Sequence, residues 1–221
     1  MVLWQQLYCE GKVHMINDLV TRYPALAACQ TQIEGAKAAL IACFQAGGKL
    51  LLCGNGGSCA DCDHIVGELM KGFRSKRPLC QEKKAQMRNQ CSELDEDVLA
   101  KLQAALPAIS LPSFTALNTA YCNDVDPALM YAQGVLGLGA KNDVLLALST
   151  SGNSQNVVEA AKVAKALGIR VIALTGADGG SLRQLADICI CVPERETFKV
   201  QELHLPVYHW LCEEIESYFF D

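Results

Sequence analysis

Two short stretches, Cys53-Gly54-Asn55-Gly56-Gly57-Ser58 and Ser149-Thr150-Ser151-Gly152-Asn153-Ser154, carry the residue types that grip a phosphate. Glycines at 54, 56, 57 and 152 let the backbone come close to a ligand and permit positive φ, and Ser58, Ser149, Thr150, Ser151 and Ser154 add hydroxyl donors. Each stretch follows an apolar run and leads into helical spacing, Ala60 to Lys71 after the first and Gln155 to Leu167 after the second. A helix start offers unpaired N–H groups and a positive dipole end, both suited to an anion. Taken alone, either loop also reads as an ordinary strand-to-helix turn with a serine cap. Neither is a nucleotide fingerprint: Cys59 stands where G-x-G-x-x-G needs its third glycine, and no G-K-[ST] follows, so no nucleotide is expected. Two such loops in one protein favour the anion.

Residues able to move protons or hold a metal lie on the helices. His64 and Glu68 are four apart and share one helix face. Gln201-Glu202-Leu203-His204 and His209 fall in one helical stretch near the C-terminus. Eight helical residues separate Gln201 from His209 by about 12 Å of rise and about 80° of rotation, so the two could just converge on one ion, more easily across a subunit boundary. His204 is turned well away from His209 and reads as a core or interface histidine. Cys59-Ala60-Asp61-Cys62 is a C-x-x-C inside the proposed phosphate loop, without a second knuckle-spaced pair, so neither a redox nor a structural zinc role is expected for it.

These groups need a scaffold. Short apolar runs at 49–53, 108–111, 143–148, 170–174 and 187–192 alternate with helical stretches, the signature of a parallel sheet covered on both faces and hence a doubly wound α/β fold. Two amphipathic helices, 3–23 and 25–46, precede the first strand; in the second, Leu26, Cys29, Ile33, Ala36 and Leu40 recur at helical spacing. Residues 74–106 interrupt the rhythm with a Lys-, Glu- and Gln-rich excursion whose second half (Leu94, Val98, Leu99, Leu102, Leu106) has helical spacing; a lid, a subunit contact and a solvated excursion all suit it.

At 221 residues and 51% hydrophobic, the chain has the material for one large domain, 1–221. A net charge of −5 and only one short basic cluster, Lys71 to Arg77, point away from nucleic acid. The start lacks the order of a signal peptide and no run approaches eighteen apolar residues, so the expectation is a cytoplasmic protein with no membrane partner, whose twelve cysteines are reduced thiols.

The ordered series Gly54-Asn55-Gly56-Gly57-Ser58, His64-Ile65-Val66-Gly67-Glu68, Asn123-Asp124, Ser149 to Ser154, and Gln201-Glu202-Leu203-His204 with His209 resembles the sugar isomerase (SIS) domain family, most of all its phosphoheptose isomerases. The resemblance runs through about residues 45–73 and 107–215. It implies a three-layer, flavodoxin-like fold with a five-stranded parallel sheet, assembled as a homotetramer with N-terminal helices for oligomerisation and active sites between subunits. It also implies that Gly56, Gly57, Ser58, Ser149, Thr150, Ser151 and Ser154 hold the phosphate, with Asn55, Asp124 and Gln201 near the sugar. Glu68 and His209 match the family's acid/base pair, and His64, Glu68, Gln201 and His209 the zinc ligands of some members. The implied activity is aldose–ketose isomerisation through a cis-enediol, with sedoheptulose 7-phosphate giving D-glycero-D-manno-heptose 7-phosphate. A non-catalytic member, acting as a phosphosugar sensor or as an assembly factor in replication initiation, would keep the loops but lack the helix carboxylate. This sequence departs from the family in Phe198, where some members carry an aspartate, in the long excursion, and in its cysteine content.

Overall fold

The structure, a computed structural model, describes residues 16–221. In chain order the elements are α1 (Ile16–Arg22), α2 (Gln30–Gln45), β1 (Leu50–Cys53), α3 (Gly57–Met70), α4 (Gln81–Gln90), α5 (Glu96–Lys101), β2 (Ala108–Ser110), α6 (Thr115–Asp124), α7 (Met130–Leu138), β3 (Val144–Ser149), α8 (Gln155–Ala166), β4 (Arg170–Thr175), α9 (Leu182–Leu185), β5 (Ile188–Cys191) and α10 (Thr197–Phe220). Five strands form one parallel sheet in the order β2-β1-β3-β4-β5. All five expected strands are present within a residue or two of their expected ends.

The central strands are apolar on both faces because both are covered: every residue of β1 and β3 is buried, as is β4 after Arg170. One face packs on α2, α3 and α10 through Ile33, Leu40, Leu52, Leu146, Tyr208 and Leu211. The other packs on α7 and α8 through Leu51, Leu145, Val135, Val157 and Ala161. Register places Leu52 opposite Leu146 and Cys53 opposite Ala147, so the carboxyl ends of β1 and β3, and the loops that leave them, lie side by side.

Three local readings change. The expected helix at 25–46 is divided, a 3-10 turn at Pro24–Cys29 preceding α2, which begins at Gln30. Leu26, Cys29, Ile33, Ala36 and Leu40 are nonetheless all buried as their spacing predicts. Of the helix expected at 3–23, only α1 lies within the described residues. In the excursion, the helical run expected through Leu102 and Leu106 stops at Lys101, where Leu102 turns extended and Gln103 forms a bridge to Pro78. Leu99 and Leu106 are buried, whereas Val98 and Leu102 stay exposed.

Candidate active site

The first loop is shaped by its glycines. Gly56, at φ +56°, caps α3, and a methyl group on Gly57 would stand 2.5 Å from the Gln201 amide nitrogen. Ser58 is buried in the first turn of α3. Asn55 is tied to α8 by a reciprocal amide pair with Asn156 (2.8 and 2.9 Å), and the Tyr131 hydroxyl donates to the Gly54 carbonyl at 2.8 Å. Tyr131 and Asn156 had no signal in the sequence, since each is an isolated polar residue in an otherwise ordinary helix.

The second loop is braced more heavily. Gly152, at φ +67°, lies so close to the neighbouring turn that a Cβ would sit 2.0 Å from the Gly179 carbonyl oxygen. The Asn153 side-chain oxygen accepts from both the backbone N–H and the hydroxyl of Ser181, each at 2.9 Å. Ser149 and Ser154 hydroxyls are 3.0 Å apart, and the Ser151 hydroxyl accepts from the Asn153 amide at 3.1 Å. Together the loops set the starts of α3 and α8 next to each other, with Ser58, Thr150, Ser151 and Ser154 around them. Asp124 ends α6, exposed, accepting from Asn123 at 2.8 Å, and no hydrogen bond among the described residues joins it to either loop.

From this end, α3 and α10 run side by side in the same direction. Gln201 meets Gly57, and two turns on His209 meets His64, their ring centres 5.0 Å apart. Gln201 and His209 therefore touch different turns of α3 within one chain. Pro206 interrupts the α10 hydrogen-bond ladder between them, leaving the Glu202 carbonyl without its usual helical donor.

His64 is the centre of the wall. Its Nε2 lies 3.3 Å from Glu68 Oε1, and its Nδ1 lies 3.0 Å from the Tyr208 hydroxyl, which in turn lies 3.2 Å from Asp61 Oδ1. One phenolic proton cannot serve both neighbours. With Asp61 as the anion, Tyr208 donates to it and accepts from His64 Nδ1–H, which leaves Nε2 facing the Glu68 carboxylate with its lone pair. That contact requires a proton on Nε2 or a cation between nitrogen and oxygen. Burial raises the Asp61 pKa above the usual value, against the Tyr208 hydrogen bond and His64, and pushes Tyr208 well above the ordinary phenol range. Burial, then the nearby His64, lower the His209 pKa, while Glu68 pulls it back. Its Nε2 is buried without a hydrogen-bond partner, as is Asp61 Oδ2. Asp61 and Tyr208 were not singled out from sequence, because only the packing of α3 on α10 brings them together.

The donor set suits zinc: two imidazoles and a carboxylate, one imidazole oriented from behind by a hydroxyl and another with an orphaned nitrogen. Among the described residues, however, no three His, Cys, Asp or Glu side chains are grouped closely enough to hold a metal ion. His204 is fully buried near the Thr175 backbone, with no ring nitrogen in full hydrogen-bonding geometry; of the core or interface positions its offset allowed, it takes the core one. Burial pushes the Cys62 thiol well above its usual value and, with Asp63 nearby, raises Cys59 as well, the opposite of the lowered thiol pKa that a helix start could give. Phe198 is exposed at the start of α10 under the Lys199 ammonium. No helix among the described residues is long and apolar enough to cross a membrane.

Comparison with known proteins accords with this geometry. Two SIS-domain models match residues 15–105 and 116–211. The chain is 36% identical over 207 residues to the phosphoheptose isomerase of Thiobacillus denitrificans, covering 92% of each chain. It is 39% identical over 195 residues to that of Aromatoleum aromaticum, covering 87% of this chain and 85% of the relative. The solved phosphoheptose isomerase of Neisseria gonorrhoeae superposes with a TM-score of 0.70 at 30% identity, over 90% of this chain and 94% of the other. Sheet order, paired glycine loops and the His64–Glu68–His209 wall thus meet in a chain that belongs to the phosphoheptose isomerase family of SIS-domain proteins.

Proposed function

We propose that this protein isomerises sedoheptulose 7-phosphate to D-glycero-D-manno-heptose 7-phosphate through a cis-enediol. The observation that carries the reading is the convergence of Glu68 and His209 on His64, on the wall that leads away from the two phosphate loops. Aldose–ketose isomerisation needs a base beside C1 and C2 and a second group that serves the two oxygens. Glu68 takes the carbon proton and returns it to the neighbouring carbon. His209, its pKa lowered by burial, exchanges protons with the hydroxyl and carbonyl oxygens.

The phosphate supplies binding energy far from the reacting carbons, held by the starts of α3 and α8 and by Ser58, Ser149, Thr150, Ser151 and Ser154. Glu68 lies eleven residues beyond Gly57, about 16 Å along the helix axis. An extended, long-chain sugar phosphate spans such a separation better than a three-carbon one. Asn55, Asp124 and Gln201 are assigned to the sugar hydroxyls.

Where the enzyme takes zinc, His64, Glu68 and His209 would hold it together with a Gln201 from a neighbouring subunit, since within one chain Gln201 lies against Gly57, about three turns of α3 from Glu68; the ion would supply polarisation of the substrate carbonyl. Oligomerisation into a tetramer, with Asp124 brought to the sugar by subunit packing, and residence in the cytoplasm complete the proposal. The test is incubation with sedoheptulose 7-phosphate and a panel of shorter ketose phosphates, with and without a chelator. Turnover strongest on the heptose establishes the assignment; binding without turnover of any substrate makes the protein a phosphosugar sensor.

A further inference from the structure

The end of α3 that carries Glu68 is held by a buried ion pair. Arg77 is 1% exposed and adopts φ +44°, in the left-handed region that a non-glycine residue enters only when its surroundings compel it. Its guanidinium donates to the carbonyl oxygens of Leu69 (2.7 Å) and of Glu68 itself (3.1 Å). Its Nε donates to Glu216 Oε1 at 2.6 Å, and its charge lies 4.6 Å from the centre of the Phe220 ring. The Glu216 carboxylate in turn accepts from the backbone N–H groups of Phe73, Arg74 and Ser75 at 2.6 to 3.0 Å. A cation at the C-terminus of a helix, bonded to carbonyls that have no helical donor, is favourable on both counts.

The return of the excursion fastens to the same place. Ala104 N donates to the Arg77 carbonyl (2.8 Å), Leu106 N to the Leu69 carbonyl (3.0 Å), and Gly72 N to the Gln103 side chain (2.9 Å). The two ends of the excursion are thus joined beneath the last turn of α3, while its middle, α4, buries nothing.

We propose that this excursion is a clamp rather than a lid, and that Arg77, locked by Glu216, is a positioning residue that fixes the peptide of Glu68 and with it the approach of the carboxylate to the substrate carbon. This rests on Glu68 as the carbon base. Arg77 touches neither substrate nor reacting atoms. Its loss moves Glu68 by fractions of an ångström while the phosphate loops, at the other end of α3, stay as they are.

The test is the Arg77→Lys variant of the full chain, which keeps the cation but cannot bridge two carbonyls and a carboxylate. Competent sites are counted by calorimetric titration with heptitol 7-phosphate, which has no carbonyl to isomerise. The expected result is full stoichiometry, KM within about twofold of wild type, and kcat per competent site lower by about 10- to 100-fold. A kcat per competent site within about twofold of wild type overturns the proposal, as does a loss of activity that only follows a loss of sites. Should Arg77→Lys fail to fold by circular dichroism, Gln103→Ala, exposed and outside the site, decides it on the same readouts. A kcat per site about threefold lower supports the clamp and an unchanged one overturns it. Glu68→Gln measured alongside separates the two failures: near-normal turnover there removes the base assignment and this inference together, whereas an inactive Glu68→Gln beside a normal Arg77→Lys removes only this inference.

Discussion

The two halves of the site are built on opposite principles. In the phosphate loops the polar groups that shape the turns are satisfied within the fold: Asn153 on Ser181, Ser149 on Ser154, Asn55 on Asn156. On the α3–α10 wall, Asp61 Oδ2 and His209 Nε2 are buried with no partner, and His64 faces Glu68 across a contact that one proton or cation must complete. Buried unpaired polar atoms cost stability, and His204 carries that cost in the core; on the wall it is their place beside His64 and Glu68 that makes Asp61 Oδ2 and His209 Nε2 candidates to meet a ligand. The proposed binding half is therefore a turn whose polar groups are already satisfied, and the proposed reacting half is polar surface left unpaired at some cost to the fold.

Four measurements would break or sharpen that contrast. Glu68→Gln keeps shape and polarity but removes the base; kcat should fall about 1,000-fold, about 4 kcal/mol of transition-state stabilisation, while phosphosugar binding in a calorimetric titration stays within a few-fold.

His204 tests the cost of buried imidazole away from the chemistry. Burial lowers its folded-state pKa to about 4 from 6.5, with the Thr175 backbone opposing slightly. Below pH 6.5 the unfolded chain takes up a proton that the folded chain refuses until about pH 4. Stability from this group is thus complete above 6.5 and lost as pH falls toward 4. By pH 5 the loss is about 2 kcal/mol, and urea midpoints of His204→Gln should show a correspondingly flatter pH dependence between 6.5 and 5.

Gly152→Ala attacks the binding half, where the added Cβ would meet the Gly179 carbonyl at 2.0 Å in a φ +67° backbone. A stability loss of about 2 kcal/mol in urea, together with weakened phosphate affinity, is expected; Gly57→Ala should cost much less, since there the added carbon meets only the flexible end of Gln201. Ser154→Ala, the mildest, removes one hydroxyl from the anion site. KM should rise about tenfold with kcat changed less, about 1.4 kcal/mol, and equal losses in both would place Ser154 nearer the reacting carbons than the loop geometry does.

The strands, the two loops and the His64–Glu68 face were legible in the sequence because each follows from local rules: apolar runs for buried parallel strands, glycine where φ is positive, and the four-residue repeat of a helix. Local spacing misled where a turn intervened, as at Leu102, whose helical spacing continues beyond the point at which the bridge of Gln103 to Pro78 ends α5. What only the tertiary structure decided are the partners across the chain: Tyr208 between His64 and Asp61, Gln201 against Gly57 and His209 against His64, and Arg77 on Glu216, 139 residues away. No periodicity encodes such pairs, since each depends on which face of α10 packs on α3. That packing is set by the apolar surface the two helices share with the sheet, and the polar contacts of the proposed site are its consequence.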